Sequence, residues 1–258
     1  MFARNGRARQ VVYRTLWRCE ALFERIRYGY GGRSKVCSVC GHASRRFAPY
    51  GGRSHARCIW CSSLERHRLV WLYFQRKTNV LNGSTGWMLH LAPERCFEQR
   101  FRSVFRRKYV TADLRQSGVR LSTNVMNLAF GTNRFDVIYC CHVLEEVPDD
   151  RQAMREFRRV LKDDGLAILL VPLSGNASTL EDPAVVSGAD RKRLYGHDYN
   201  RRFYGADYPD RLTDAGFRVE RFLIRDLANE AEADRMGLND DGNEIFVCRV
   251  APGSSSIN

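Results

Sequence analysis

Cys37, Cys40, Cys58 and Cys61 form two C-x2-C pairs separated by 17 residues. Two residues between cysteines let one tight turn aim both thiolates at a single ion, and the separation of the pairs lies within the range of a four-cysteine zinc site. Gly41, directly after the first pair, supplies the backbone freedom such a turn needs. Four unrelated core cysteines would need two chance pairs at this separation. Four thiolates close the coordination sphere, so the zinc predicted here is structural. His42 and His55 lie nearby and read as exposed loop residues, because four cysteines already suffice.

A second group of reactive side chains stands in "CCHVLEE", residues 140–146. His142 is the best general base on pKa grounds, set against a helix-start or cofactor-packing role. Glu145 and Glu146 read as the start of the following helix, where negative charge is favoured. Cys140 and Cys141 read first as strand-end packing residues, with Cys141 counted beside the cofactor. Further on, residues 174–206 form a long insertion rich in Arg, Tyr and His, and loops of that length usually act as lids or binding segments. Tyr195, His197, Arg201, Arg202 and Tyr204 are its candidates for acceptor contact, with His197 a second candidate base; the alternative is a surface lid whose aromatics only pack.

These groups need a scaffold, and a chain of 258 residues with 44% hydrophobic content can bury one. Disordered and collagen-like classes are excluded. Apolar runs such as 166–173 fall far short of the roughly 20 residues of a bilayer span. The N-terminus carries Arg4, Arg7, Arg9, Arg14 and Arg18 without an uninterrupted apolar stretch, which predicts no secretory signal and a cytoplasmic protein. Residues 1–85 hold 17 Lys+Arg against 3 Asp+Glu, a formal +14, and the remainder sums to −1. The basic third could meet an anionic partner, RNA or a lipid headgroup among them, or be a solvated Arg-rich face. Within it Val12, Leu16, Cys19, Phe23 and Ile26 recur at spacings of four and three, the pattern of a basic amphipathic helix. Such a helix can lie on a membrane surface and more often packs on its own protein.

Strand-like stretches around Gly51-Gly52, between the cysteine pairs, suggest a short hairpin, and the whole resembles a zinc ribbon. Ser62-x-x-Glu65 has the form of a capping box before a helix with Leu69, Leu72 and Tyr73 on its apolar face. From residue 86 strand and helix signals alternate, with strands expected at 86–92, 108–113, 120–125, 135–141, 166–172, 217–223 and 244–250. This predicts an α/β fold, a doubly wound, Rossmann-like sheet of seven strands. The last two strands lack a strongly periodic helix between them and are expected to form an antiparallel edge.

After the first of these strands a dinucleotide fold carries glycines that let the backbone approach a pyrophosphate. Here Ala92-Pro93-Glu94-Arg95-Cys96 fills that turn, with no glycine and with the Glu94 carboxylate where a pyrophosphate would sit, and His90 and Leu91 at the end of the strand join Ala92, Pro93 and Glu94 as cofactor candidates. NAD, FAD and ATP are poor candidates. S-adenosylmethionine has no phosphate and a cationic end, so it tolerates the same loop. Asp113, about 20 residues on, stands where an acidic side chain takes the ribose hydroxyls of an adenosine cofactor, with Leu114 beside it.

"NVMNLAFGTNRFDVIYCCHVLEEVPDD" and the following "MREFRRVLKDDGLAILLVPL" resemble class I methyltransferases of the UbiE-like, type 11 group, whose pattern reads DxxxLPFxDxSFDxVxxxHVLEHVPD and then RVLKPGG. The resemblance covers about residues 86–225. It implies a cofactor-dependent methyltransferase in which Asn124, Val125 and Met126 meet the adenine. Asn124 stands where the family usually has Asp, and the turn at residues 92–96 departs from the family's GxGxG. The insertion resembles a "GxxDHxRxYG"-like stretch of a zinc-ribbon subgroup. The expected organisation is a basic helix at 1–34, a zinc ribbon at 35–64, a methyltransferase domain at 65–252 and a tail at 253–258. The expected function is S-adenosylmethionine-dependent methylation of oxygen or nitrogen on a small-molecule acceptor; the alternatives are an RNA base methyltransferase and a non-catalytic zinc-ribbon adaptor.

Overall fold

The computed structural model describes residues 22–83, 86–114, 117–238 and 244–251. Most of the expected amphipathic helix, with Val12, Leu16 and Cys19, and the expected tail lie outside them. Phe23 and Ile26 lie within and are exposed. The chain divides into two compact units, Met1–Arg76 with Ile224–Asn243, and Lys77–Leu223 with Glu244–Asn258. Among the described residues, no helix is long and apolar enough to cross a membrane.

The first unit holds two small antiparallel hairpins, β1 (Lys35–Val36) with β2 (Ala43–Ser44) and β3 (Ala48–Tyr50) with β4 (Arg53–Arg57), followed by helix α1 (Glu65–Lys77). Nearly every side chain in the first turns of α1 is buried, and Leu69, Leu72 and Tyr73 all are, as expected. A helix buried all round needs cover beyond one ribbon. Part of it comes from the second segment of the unit, with short helices at Ile224–Leu227 and Glu230–Met236. Arg76 donates to Leu227 O and to both carboxylate oxygens of Glu232, and Lys35 pairs with Asp234 at 2.6 Å. The buried Arg68 donates to Ala56 O, Ser63 O and Gly237 O, its guanidinium 4.0 Å from the centre of the Phe47 ring. Gly237 has φ +60, and a Cβ there would meet that ring at 2.6 Å, so glycine is what lets the carbonyl reach Arg68. The unit takes in α1 and residues 224–243 besides the stretch 35–64 where the ribbon is expected. The expected capping box does not form. Ser62 has φ +62, whereas an N-cap residue is extended, and Leu64 N–H donates instead to His67 Nδ1 at 2.9 Å.

The second unit is built on seven strands: β5 (Met88–Leu91), β6 (Tyr109–Asp113), β7 (Leu121–Ser122), β8 (Phe135–Cys141), β9 (Leu161–Leu170), β12 (Phe217–Phe222) and β13 (Ile245–Val250). A separate small ladder joins β10 (Leu180–Glu181) to β11 (Arg202–Phe203). The sheet order is β12-β13-β9-β8-β5-β6-β7, parallel from β9 to β7. All seven expected strands are present in a doubly wound, Rossmann-like sheet. The last two strands form the expected antiparallel edge: β13 inserts between β9 and β12 and runs antiparallel to both, leaving β12 outermost. The two short helices between these strands escape periodicity analysis because neither spans the several turns a pattern needs.

The central strands are apolar on both faces, as a sheet covered on both sides requires. On one face Leu89, Leu91, Ile138 and Cys140 pack with Phe157 of helix α3 (Asp150–Val160). Asp149 caps that helix by accepting from Gln152 N–H at 2.8 Å. On the other face Phe97 and Phe101 of helix α2 (Arg95–Phe105) meet His90, Tyr109 and Tyr139 in an aromatic cluster. Each buried Phe contributes about 2–3 kcal/mol. The chain runs outward from β5 to β7 and then returns to β8 on the other side of β5, so the strand order reverses between β5 and β8. Ligands of open α/β sheets bind outside the carboxyl ends of the strands at such a point. The register sets Leu91 against both Ala112 and Cys140, which brings Ala92, Asp113 and His142 to one edge.

Candidate cofactor cleft and metal centre

In the first unit the four cysteines converge. Their sulfurs all lie within 4.8 Å of one another, and the Cys37–Cys61 and Cys40–Cys58 separations are both 3.7 Å. Thiolates at the usual zinc distance of about 2.3 Å would form a tetrahedron with edges of about 3.8 Å, whereas a disulfide needs about 2.05 Å. The spacing fits a shared ion and excludes a bond between sulfurs. Each pair is closed by a left-handed residue after its second cysteine: Gly41 N–H donates to Cys37 O at 2.7 Å, and Ser62 N–H to Cys58 O at 2.8 Å. Ser63 Oγ lies 3.1 Å from Cys37 Sγ and 3.3 Å from Cys61 Sγ, a contact that spacing alone does not reveal. His42 and His55 are exposed and outside the cluster.

In the second unit a cleft of about 340 Å³ opens at the carboxyl edge of the sheet. Six expected cofactor residues line it or its floor: Ala92, Asp113, Leu114, Asn124, Val125 and Met126. Ala92 has φ +47 and its N–H donates to Ala112 O at 3.0 Å, so the turn keeps a left-handed residue where the family pattern has glycine. His90 and Leu91 are buried beneath it, and Pro93 is buried beside it. His90 Nδ1 lies 2.7 Å from Tyr109 Oη, while Nε2 accepts from Glu94 N–H at 3.3 Å and lies 3.9 Å from the Glu94 carboxylate. His90 thus shapes the turn from below rather than reaching the cleft. Burial, helped by the nearby Glu98 charge, pushes the Tyr109 hydroxyl well above its usual range, so it remains protonated. Asn124 Oδ1 accepts from Met126 N–H at 3.0 Å, a local turn that leaves one lone pair and the amide donors for a ligand. Cys141 is buried and does not line the cleft, consistent with strand-end packing.

His142 and, from the insertion, Arg201 also line the cleft. The other insertion candidates do not. His197 is exposed, 2.7 Å from Asp198 and stacked on Tyr199. Tyr195 is buried and accepts from Asp182 N–H. Tyr204 is buried and donates to Asp150 at 2.7 Å. Arg202 is fully buried, and each of its five N–H groups is used: Nε and Nη2 on Glu181, Nη1 on Leu144 O and Val147 O, and Nη2 again on Pro148 O. Burial works against that charge, but Glu181 and Asp150 lift its pKa above the ordinary value. Arg202 and Tyr204 are anchors that tie the insertion to the loop at 144–148, not acceptor contacts. The insertion is correspondingly ordered. Its helix α4 (Gly188–Tyr195) is capped by Ser187, and the following α5 (Tyr208–Asp214) returns the chain to the sheet.

Glu145 is where sequence reasoning fails most. Helix α3 begins only at Asp150, and Glu145 instead sits in a turn, buried, with Oε1 2.9 Å from His142 Nδ1. The available signal was the three-residue spacing from His142.

Residues 88–169 match the family model for the methyltransferase domain. Demethylmenaquinone methyltransferases of Listeria monocytogenes serotype 4a (strain HCC23) and of Listeria welshimeri serovar 6b are each 34% identical over 103 residues, covering 35% of this chain and 43% of theirs. The match thus spans less than half the length of these relatives. Among solved structures, an S-adenosylmethionine-dependent methyltransferase from Mesorhizobium loti aligns over 69% of this chain and 96% of its own, with 13% identity and a TM-score of 0.47. The [4+2]-cyclase SpnF aligns over 71% and 80%, with 15% identity and a TM-score of 0.44. Residues 88–169, the segment similar to the methyltransferase domain family, supply the central strands and most of the cleft.

Proposed function

We propose that this protein is an S-adenosylmethionine-dependent methyltransferase acting on a small-molecule acceptor, with a structural zinc ion in its first unit. The observation that carries the reading is the Ala92 turn facing Asp113 and residues 124–126 across one cleft at the reversal of strand order. Asp113 would accept from the ribose hydroxyls, and Asn124 with Val125 and Met126 would meet the adenine. Glu94 and the absence of a glycine-rich phosphate cradle disfavour a dinucleotide. When bound, the cofactor supplies an activated methyl group. The protein's own part is then to align the acceptor, exclude water and accept a proton, for which His142 stands in the cleft. The acceptor in the relatives' names is not carried to this chain, which aligns with less than half of them. The RNA reading gains no support from the family or the relatives. The zinc proposal rests on four thiols within 4.8 Å of one another, two pairs of them at 3.7 Å, about the edge length of a tetrahedral site.

Asp113→Ala tests the cofactor reading. It is expected to weaken S-adenosylmethionine binding ten- to a hundredfold, about 1.5–3 kcal/mol, because the ribose loses a charged acceptor. Calorimetry on wild type and variant reads this directly. Equal affinities would remove Asp113 from the site, and no saturable binding to wild type at millimolar cofactor would overturn the methyltransferase reading.

A further inference from the structure

His142 follows β8 directly and has φ +56, a left-handed conformation that costs a residue with a Cβ roughly 1–2 kcal/mol. Its backbone N–H donates to Leu170 O at 2.9 Å, which fixes it between the ends of β8 and β9. The ring is then held from below by Glu145, 3% exposed, whose Oε1 lies 2.9 Å from Nδ1. The other carboxylate oxygen, Oε2, is buried and has no hydrogen-bond partner among the described residues. A buried carboxylate so poorly supplied with donors is costly, and the ring N–H is the donor offered to it. That contact holds the proton on Nδ1 and leaves the lone pair of Nε2 for the cleft that His142 lines. Glu145 reaches a second cleft residue as well: its carbonyl accepts from Arg201 N–H at 2.8 Å. Arg201 is half-buried and lines the cleft, and its guanidinium has no protein partner among the described residues.

We propose that Glu145 is the positioning residue of a His142–Glu145 pair that removes the proton from a hydroxyl acceptor, and that Arg201 holds a carboxylate or phosphate group of the same acceptor. The inference rests on the methyltransferase reading and names its substrate class, a hydroxyl compound bearing a negative group. As the hydroxyl oxygen bonds to the methyl carbon, its proton passes to His142 Nε2, and the electron pair of the broken carbon–sulfur bond stays on the departing sulfur. The imidazolium so formed is balanced by Glu145. A neutral hydroxyl is too weak a nucleophile without such a base. The oriented pair also explains why a strained backbone at His142 is retained.

The test reads side-chain nitrogens of the full chain labelled with 15N-histidine, titrated in pH with and without S-adenosylhomocysteine. Signals of His142 are those lost in His142→Gln. Glu145 contacts this ring, and the other charged groups that line the same cleft are Glu146 from its own loop, Asp113 from β6 and Arg201 from the insertion. Wild type is expected to show neutral His142 protonated on Nδ1. Glu145→Leu removes the acceptor, so the preference for a proton on Nδ1 should be lost, with cofactor affinity changed less than about twofold. Neutral His142 protonated on Nε2, or an unchanged Nδ1 preference in Glu145→Leu, overturns the pair; the wild-type spectrum decides even if that variant does not fold. For the anion, 20 mM inorganic phosphate is expected to shift the His142 signals saturably in wild type and not in Arg201→Ala, against chloride at matched ionic strength. No shift in wild type, or the same shift in the variant, removes Arg201 from the proposal. An intact pair in a chain that binds no S-adenosylmethionine would instead sink the methyltransferase reading alone.

Discussion

Cys58→Ser is expected to abolish metal binding and to unfold the hairpins of the first unit at temperatures where the wild type is intact. A structural zinc ion contributes an apparent 10–16 kcal/mol to small zinc domains near neutral pH, more than a few apolar contacts can replace. Around the hairpins the local apolar cluster is small, Tyr28, Ala48 and Ile59 with Trp60 against it. Serine keeps the shape of the side chain but is no thiolate, so the tetrahedron loses a corner and Cys37, Cys40 and Cys61 are left crowded with no ion to share. Elemental analysis of the purified chain should give one zinc per wild-type molecule and none in the variant. Hydrogen exchange should lose protection over residues 35–64. Zinc-free wild type with full protection there would show the cysteines to be ordinary packing residues.

Arg202→Leu should cost about 3–5 kcal/mol of stability, since it removes one of the two cations shared by Glu181 and the buried Asp150. Three carbonyls, of Leu144, Val147 and Pro148, lose their donors at the same time. For a unit of this size such a loss lowers Tm by roughly 6–20 °C. Arg211 remains near both carboxylates, at 3.0 Å from Asp150 and 3.2 Å from Glu181, and sets the lower end of the range. Arg202→Leu combined with Glu181→Leu should recover part of the loss, because one uncompensated charge goes with its partner. Urea denaturation followed by tryptophan fluorescence measures both. A single variant within about 1 kcal/mol of wild type would mean that water already satisfies these groups, and the anchor would have to be sought elsewhere in the insertion.

The legible parts of this molecule were those governed by local pattern. Seven strands announced themselves as apolar runs between turn signals, and the cysteine pairs by spacing, because each signal is complete within a few residues. Asp113 and His142 were singled out because strand ends are where such folds gather side chains, and Asn124 because the resemblance to type 11 methyltransferases implied it; all three line the cleft. What stayed hidden depended on distant partners. Arg202 reads like any substrate-binding arginine until Glu181 and three carbonyls from the preceding loop close around it. Glu145 reads as a helix start, since nothing in one dimension says that the helix waits until Asp150. Ala92 was read as a departure from a glycine pattern, yet it keeps the left-handed backbone. The loop lost the residue type but not the conformation.

The first unit is made from two stretches of chain, with residues 77–223 lying between them. A ribosome delivers the partners of Lys35, Arg68 and Arg76 only after that intervening stretch has been made. At about 5–20 residues per second the wait is roughly 7 to 30 s. Through that interval the nascent hairpins and α1 exist without Gly237 under Arg68 or Glu232 beside Arg76. Metal delivered early would secure the cysteine end of the unit, while the helix end must wait for the late segment. Truncation before residue 224 should therefore yield a chain that holds its ion but leaves the apolar surface of α1 open to chaperones and proteases.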